Sequence, residues 1–128
     1  MMRSVVVCGP RGDEDVWDRY VRPARWPEWS PQIRSVDYPA ETLAASTSGI
    51  VHGPAGLRVE FEVLDVVEQA AVRSWSWSVS AAGLRMHLRH TVEAAGTGTK
   101  TGLTVSGFAP AVLGYLPIAR LALHRLVS

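Results

Sequence analysis

The sequence predicts an α+β fold in which a curved antiparallel sheet of seven strands wraps a long C-terminal helix, with two short helices after the first strand. Three observations carry that expectation. From Ile33 to Ser106 apolar residues recur at period two, the mark of strands with one buried face. The links between these stretches are short, whereas a parallel connection needs a crossover of about a dozen residues, so the strands form a meander. Residues 109–127 then change to helical spacing, with Val112, Leu116, Ala119, Leu123 and Leu126 along one stripe.

The elements follow in order. Arg3 to Cys8 is β-branched and ends at Gly9-Pro10, a strand followed by a turn. In this apolar run the single cysteine, Cys8, reads as a buried, inert thiol with no disulfide partner. Asp13 is placed to cap a helix whose first turn holds Glu14 and Asp15. Val16, Trp17, Tyr20 and Val21 form its apolar face and Asp18, Arg19 and Arg22 its polar one, and Pro23 stops it. Trp26 and Trp29 sit between Pro23 and Pro31, where a short helical turn fits. Ile33–Tyr38 and Thr42–His52 read as extended, and Leu57–Val63 alternates apolar with charged residues without a fault. Arg73–Val79 puts Trp75, Trp77 and Val79 on one face and three serines on the other. Leu84–Val92 and Thr99–Ser106 complete the sheet, and Thr99, Thr101, Leu103 and Val105 are expected on the inner side of the last strand. Pro110 suits the first turn of the final helix, while Pro117 is expected to kink it and free the Leu113 carbonyl.

A length of 128 residues fits one domain spanning 1–128, and 47% apolar content lies in the ordinary globular range. Thirteen basic and twelve acidic residues are scattered to a net charge of +1, which disfavours nucleic acid as a partner. The apolar start of the chain is too short for a signal peptide or a membrane span, so the expected location is cytoplasmic, without membrane insertion.

The order strand, helix, short helix, six strands, long helix resembles the helix-grip proteins of the SRPBCC superfamily. These include START-related, Bet v 1-like and polyketide cyclase/dehydrase-like proteins. The resemblance runs over nearly the whole chain. It is carried by Val16-Trp17-Asp18, Trp26-Pro27-Glu28-Trp29-Ser30-Pro31, the strand Val59 to Val63, Trp75-Ser76-Trp77 and His90-Thr91-Val92-Glu93. None of these is a catalytic signature. The resemblance implies an internal pocket under the long helix, and among the cyclase relatives an aldol-type ring closure or dehydration.

The residues themselves narrow the chemistry. His87 and His90 are three apart on a strand and point to opposite faces, so they cannot share a metal, and no cysteine pair or His-Glu-x-x-His pattern occurs. There is no nucleophile elbow and no phosphate cradle, so neither a metal nor another cofactor is expected. Strand parity places Leu84, Met86, Leu88, His90 and Val92 on the inner face, together with Val59, Phe61 and Val63. His90 is thus a polar group in an apolar row and the one inward side chain that titrates near neutrality, the natural general acid/base if chemistry occurs. Phe61, Trp75, Trp77, Met86 and His90 are the candidate cavity wall. Trp26, Trp29 and Tyr115 are candidates for its mouth, and Arg73 or Arg34 for polarising a ligand carbonyl.

Two readings of that wall compete. The aromatic residues fill the core and His90 bonds a threonine or tyrosine there, or they enclose a site for a small hydrophobic or aromatic molecule. The large aromatic surface favours the site. Its owner is then either an acid/base catalyst acting on a polyketide-like substrate or a non-catalytic carrier or sensor of a hydrophobic metabolite or lipid, monomeric or homodimeric.

Overall fold

The computed structural model describes residues 1–128. Its elements are β1 (Met2–Gly9), α1 (Asp13–Val21), a 3-10 turn (Pro23–Arg25), α2 (Trp26–Trp29), β2 (Ser35–Asp37), β3 (Thr47–His52), β4 (Arg58–Val67), β5 (Arg73–Ala81), β6 (Leu84–Ala95), β7 (Gly98–Gly107) and α3 (Ala109–Val127). The strands form one sheet of seven in the order β1-β7-β6-β5-β4-β3-β2, each neighbouring pair antiparallel. The helices cover one face, and β5 is the middle strand. This is the expected fold, with hairpins linking β4 through β7 and β1 closing the sheet beside the last strand.

Cross-strand pairing sets the inner face. Val63, Trp77, Leu88 and Val105 line up across β4–β7, and Val66, Trp75, His90, Leu103 and Val5 make the neighbouring row. Both rows pack under α3, whose buried stripe is Val112, Ala119, Ala122, Leu123, Leu126 and Val127, with Leu116 at its margin. The chain continues as helix through Pro117, which lies on the exposed side, where the missing backbone donor frees a carbonyl toward water rather than into the core. The strands run further than the alternation indicated. In β4 a bulge between Val63 and Asp65 adds one residue, so Asp65 stays on the outer face opposite Ser76 and Val66 returns to the inner face. A strict alternation cannot bridge such a step, which is why the sequence pattern stops at Val63. At the other side the sheet starts late: β2 is three residues long, and the stretch from Thr42 becomes strand only at Thr47.

Three local expectations are corrected. Gly12, not Asp13, holds the N-cap position of α1, and no side chain caps that end; Asp13 is the first helical residue. Cys8 is exposed, because Val5 and Val7 take the inner positions of β1 and leave Val6 and Cys8 on the outer face. Arg19, placed on the polar face of α1, is buried at 5% exposure. Its Nη1 donates to the carbonyls of Arg125 (3.1 Å) and Leu126 (2.8 Å), at the C-terminal end of α3. A cation there meets both the unpaired carbonyls and the negative end of the helix dipole. Arg19→Met keeps most of the aliphatic packing and removes the charged donor, so it is expected to cost about 2 kcal/mol of stability. The urea midpoint reads this directly; an unchanged midpoint would show that solvent replaces the bond freely.

On the surface of α1 and α2 the charges interlock. Hydrogen bonds from Arg11 and then Arg25 hold the Asp15 carboxyl below its ordinary range, and Arg22 and then Arg25 do the same for Asp18. Arg25 also reaches Glu28, which ties α2 to α1.

Candidate functional site

The centre of the inner face is an aromatic cluster. The Trp75 ring stacks on His90 with centroids 4.6 Å apart and planes 11° apart. Trp77 lies 5.1 Å from Trp75, and Trp26 packs on both at 5.8 and 5.2 Å. Tyr20 of α1 joins from above, 4.9 Å from His90 and edge-on to Trp29 at 5.4 Å. The short α2 exists to deliver Trp26 and Trp29. Their indole N–H groups donate to the Tyr20 and Arg19 carbonyls, at 2.8 and 3.1 Å, at the end of α1, so the helix that cannot extend through its prolines is anchored by its side chains.

His90 is buried and faces inward, as parity requires, while His87 is exposed. The proton positions in its surroundings follow from donor counting. Thr101 Oγ1 spends its one hydrogen on the Thr91 carbonyl (2.9 Å). Tyr20 Oη, 2.8 Å from Thr101 Oγ1, must therefore donate to it. With its hydrogen used, Tyr20 Oη accepts from His90 Nδ1–H at 3.3 Å. On the other side of the ring Nε2 accepts from Trp77 Nε1–H at 3.0 Å. His90 is thus a neutral ring with its proton on Nδ1 and its lone pair engaged. Burial pushes its pKa down to about 3, and burial likewise raises that of Tyr20. No lone pair is left for a substrate proton unless Trp77 lets go.

Between this cluster and the helices lies a small, partly enclosed cavity of about 30 Å3. Its floor is Trp75, Trp77, His90 and Leu103; α2 and the turn after it contribute Trp26, Trp29, Ser30, Gln32 and Ile33; α3 contributes Tyr115, Ala119, Ala122 and Leu123. A cavity is present under the helix, and it is small. Five large aromatic side chains occupy most of the space under the helix, and what is left matches a single water-sized body. The lining carries no carboxylate, lysine or arginine. It does carry two buried polar atoms without a hydrogen-bond partner, Trp75 Nε1 and Gln32 Oε1.

Of the candidate residues, Trp26, Trp29, Trp75, Trp77, His90 and Tyr115 come together around this cavity. Phe61 does not: it is buried further along the sheet, stacked on Tyr38 at 5.9 Å. Met86, opposite Val79, packs at the edge of the core away from the cavity. Arg73 turns the other way, donating to Asp13 Oδ2 at 2.7 Å with its guanidinium 5.8 Å from the Trp17 ring centroid, and Arg34 is exposed before β2. Neither arginine reaches the cavity. Gln32 carries no sequence signal because it lies in an irregular stretch with no periodicity, and Tyr20, legible as an apolar-face residue of α1, has nothing local to tie it to His90, 70 residues later.

The sheet gripping one long helix, with a small, partly enclosed space between them, defines a helix-grip protein. Residues 10–127 match the family model described as polyketide cyclase / dehydrase and lipid transport, and the chain belongs to that family. No curated protein sequence matches it. Solved structures share the fold at low identity. Protein MLL2253 from Mesorhizobium loti superposes with a TM-score of 0.78 at 21% identity, covering 98% of this chain and 93% of that one. Ara h 8.0201 gives 0.71 at 14%, covering 98% and 97%. The di-domain ARO/CYC BexL from the BE-7585A biosynthetic pathway gives 0.75 at 15%, covering 99% of this chain and 45% of its own. No helix of this chain is long and apolar enough to cross a membrane.

Proposed function

We propose that the chain binds one neutral, flat, largely apolar molecule between the tryptophan floor and α3, and holds it without transferring a proton. The observation that carries this reading is the pair of unpartnered buried polar atoms in the cavity lining, Trp75 Nε1 and Gln32 Oε1. The chain itself pairs neither group, so a ligand offering one acceptor and one donor matches them, each hydrogen bond being worth about 1 kcal/mol net. The absence of any charged group in the lining argues against an ionised ligand. The saturated His90 ring favours a carrier or sensor over the acid/base catalyst, because catalysis would first require breaking the Trp77 bond. Polyketide-like phenols fall in the ligand class. The cavity as it stands admits no such molecule, so binding requires lining side chains such as Tyr115 or Trp29 to move aside.

The test is a titration followed by the indole N–H resonances in a nitrogen-proton correlation spectrum. 2-Naphthol is expected to move the Trp75 resonance, and 2-naphthoate is not. A Trp75→Phe variant should bind 2-naphthol about tenfold more weakly, the value of one hydrogen bond of roughly 1.4 kcal/mol. Equal binding of the naphthol and the naphthoate, or an unmoved Trp75 signal, would overturn the assignment.

A further inference from the structure

The face of the sheet turned away from the helices carries a charge pattern in register. On β4 the outward residues Glu60, Glu62 and Asp65 form a carboxylate row; on β6 Arg85, His87 and Arg89 form a cationic one. Between them β5 presents only serines. Pairing aligns the rows level by level: Glu60, Ser80 and Arg85; Glu62, Ser78 and His87; Asp65, Ser76 and Arg89. All six flanking side chains are exposed, and none of them makes an ion pair within the chain. Arg58, the next outward residue of β4, lies beyond the β5–β6 turn and faces no row.

We propose that this outer face is a self-complementary interface, on which two copies of the chain stack about a two-fold axis running along β5. Such an axis turns the face over and exchanges left for right while leaving each level in place. The carboxylates of one copy then lie over the cations of the other: Glu60 opposite Arg85, Glu62 opposite His87 and Asp65 opposite Arg89, each pair occurring twice. A two-fold perpendicular to the strands would set carboxylates on carboxylates instead, so the pattern selects one orientation. An isologous contact needs such a patch, one that complements itself.

The shape agrees. β5 is the middle strand, and its outward side chains are short serines that lie low between the two charged rows. Longer glutamate and arginine side chains flank these serines on both sides. Across β5 the outer surface dips into a depression of about 830 Å3 lined by Asp37, Glu60 and Glu62, by Ser78 and Ser80, and on its far rim by the chain's own Arg85, among others. In the stacked pair it receives Arg85 of the second copy. Strands β3 to β7, at ~4.8 Å spacing and from ~20 Å (β3) to ~40 Å (β6) long, present a projected face of about 700 Å2 per copy, at the small end of specific interfaces. The contact is therefore weak and salt-sensitive.

Sedimentation equilibrium of the full chain at up to about 200 μM tests it. At about 50 mM salt a reversible dimer is expected, its dissociation constant rising more than tenfold at about 400 mM. Arg85→Glu with Arg89→Glu makes both rows acidic, and Glu60→Lys with Asp65→Lys makes both basic; each variant alone should be monomeric, and their equimolar mixture should form one-to-one dimers. A wild type that stays monomeric at low salt, a variant that dimerises like the wild type, or a mixture that stays monomeric would each overturn the proposal. The salt arm uses only the unmodified chain and stands even if a variant folds poorly.

Discussion

Replacing His90 by alanine is expected to lower the stability of the chain by about 4 kcal/mol, roughly 15 °C in melting temperature for a domain of this size. The ring has two partners, and removal strands the Trp77 indole N–H in a dry environment and takes the donor from Tyr20, besides leaving a hole beneath the Trp75 ring. A conservative change gives a sharper reading. His90→Gln retains an acceptor and donors but does not titrate. In the unfolded chain a histidine takes up a proton below about pH 6.5. In the folded chain burial holds the His90 pKa at about 3. Between these values the unfolded state binds a proton that the folded state does not, so acid favours unfolding; the stability is full above about pH 6.5 and drains as pH falls. The wild type should lose about 1.4 kcal/mol per pH unit relative to His90→Gln in that window, or about 2 kcal/mol between pH 6.5 and 5. Parallel pH curves for the two proteins would mean that the folded ring accepts a proton, and would restore His90 as an acid/base candidate.

Truncating Trp29 to alanine should cost about 4 kcal/mol and, unlike the His90 change, should be repairable by a small molecule. Trp29 forms one wall of the cavity, packs edge-on against Tyr20 and is tied to Arg19 through its N–H. Its removal joins the existing space to a new one on the order of 150 Å3, the size at which an engineered apolar cavity stays dry and binds benzene. Indole at ten times its dissociation constant for the variant should then return about 1.4 kcal/mol to it, and less to the wild type at the same concentration, which has no space of that size ready. Failure of indole to raise the melting temperature of the variant would show that α2 collapses into the gap.

Period-two alternation makes the inner face legible in the sequence itself: the row of Trp75 and Trp77 and the inward turn of His90 both follow from side chains alternating across a strand. Parity says which way a side chain points and nothing about how much room remains in front of it. Whether Trp26 and Trp29 border a pocket or fill it depends on the path of an irregular, proline-rich segment that has no period to read. Arg73 shows the same limit at a strand end, where the acidic first turn of α1 captures it through a contact distant in sequence. Cys8 shows another: every residue of Val5 to Cys8 is apolar, so composition alone offers no alternation to separate the inner positions from the outer ones.

All five tryptophans are buried, Trp77 being the most exposed at 8%. The intrinsic fluorescence of the chain is consequently silent about its surface. Trp26, Trp75 and Trp77 lie within 5.1 to 5.8 Å of one another, close enough for their excited states to mix, and His90 is stacked against one of them. The chain carries its own optical gauge of the space beneath α3: a molecule that adheres outside leaves the emission band where it was, and one that enters shifts it.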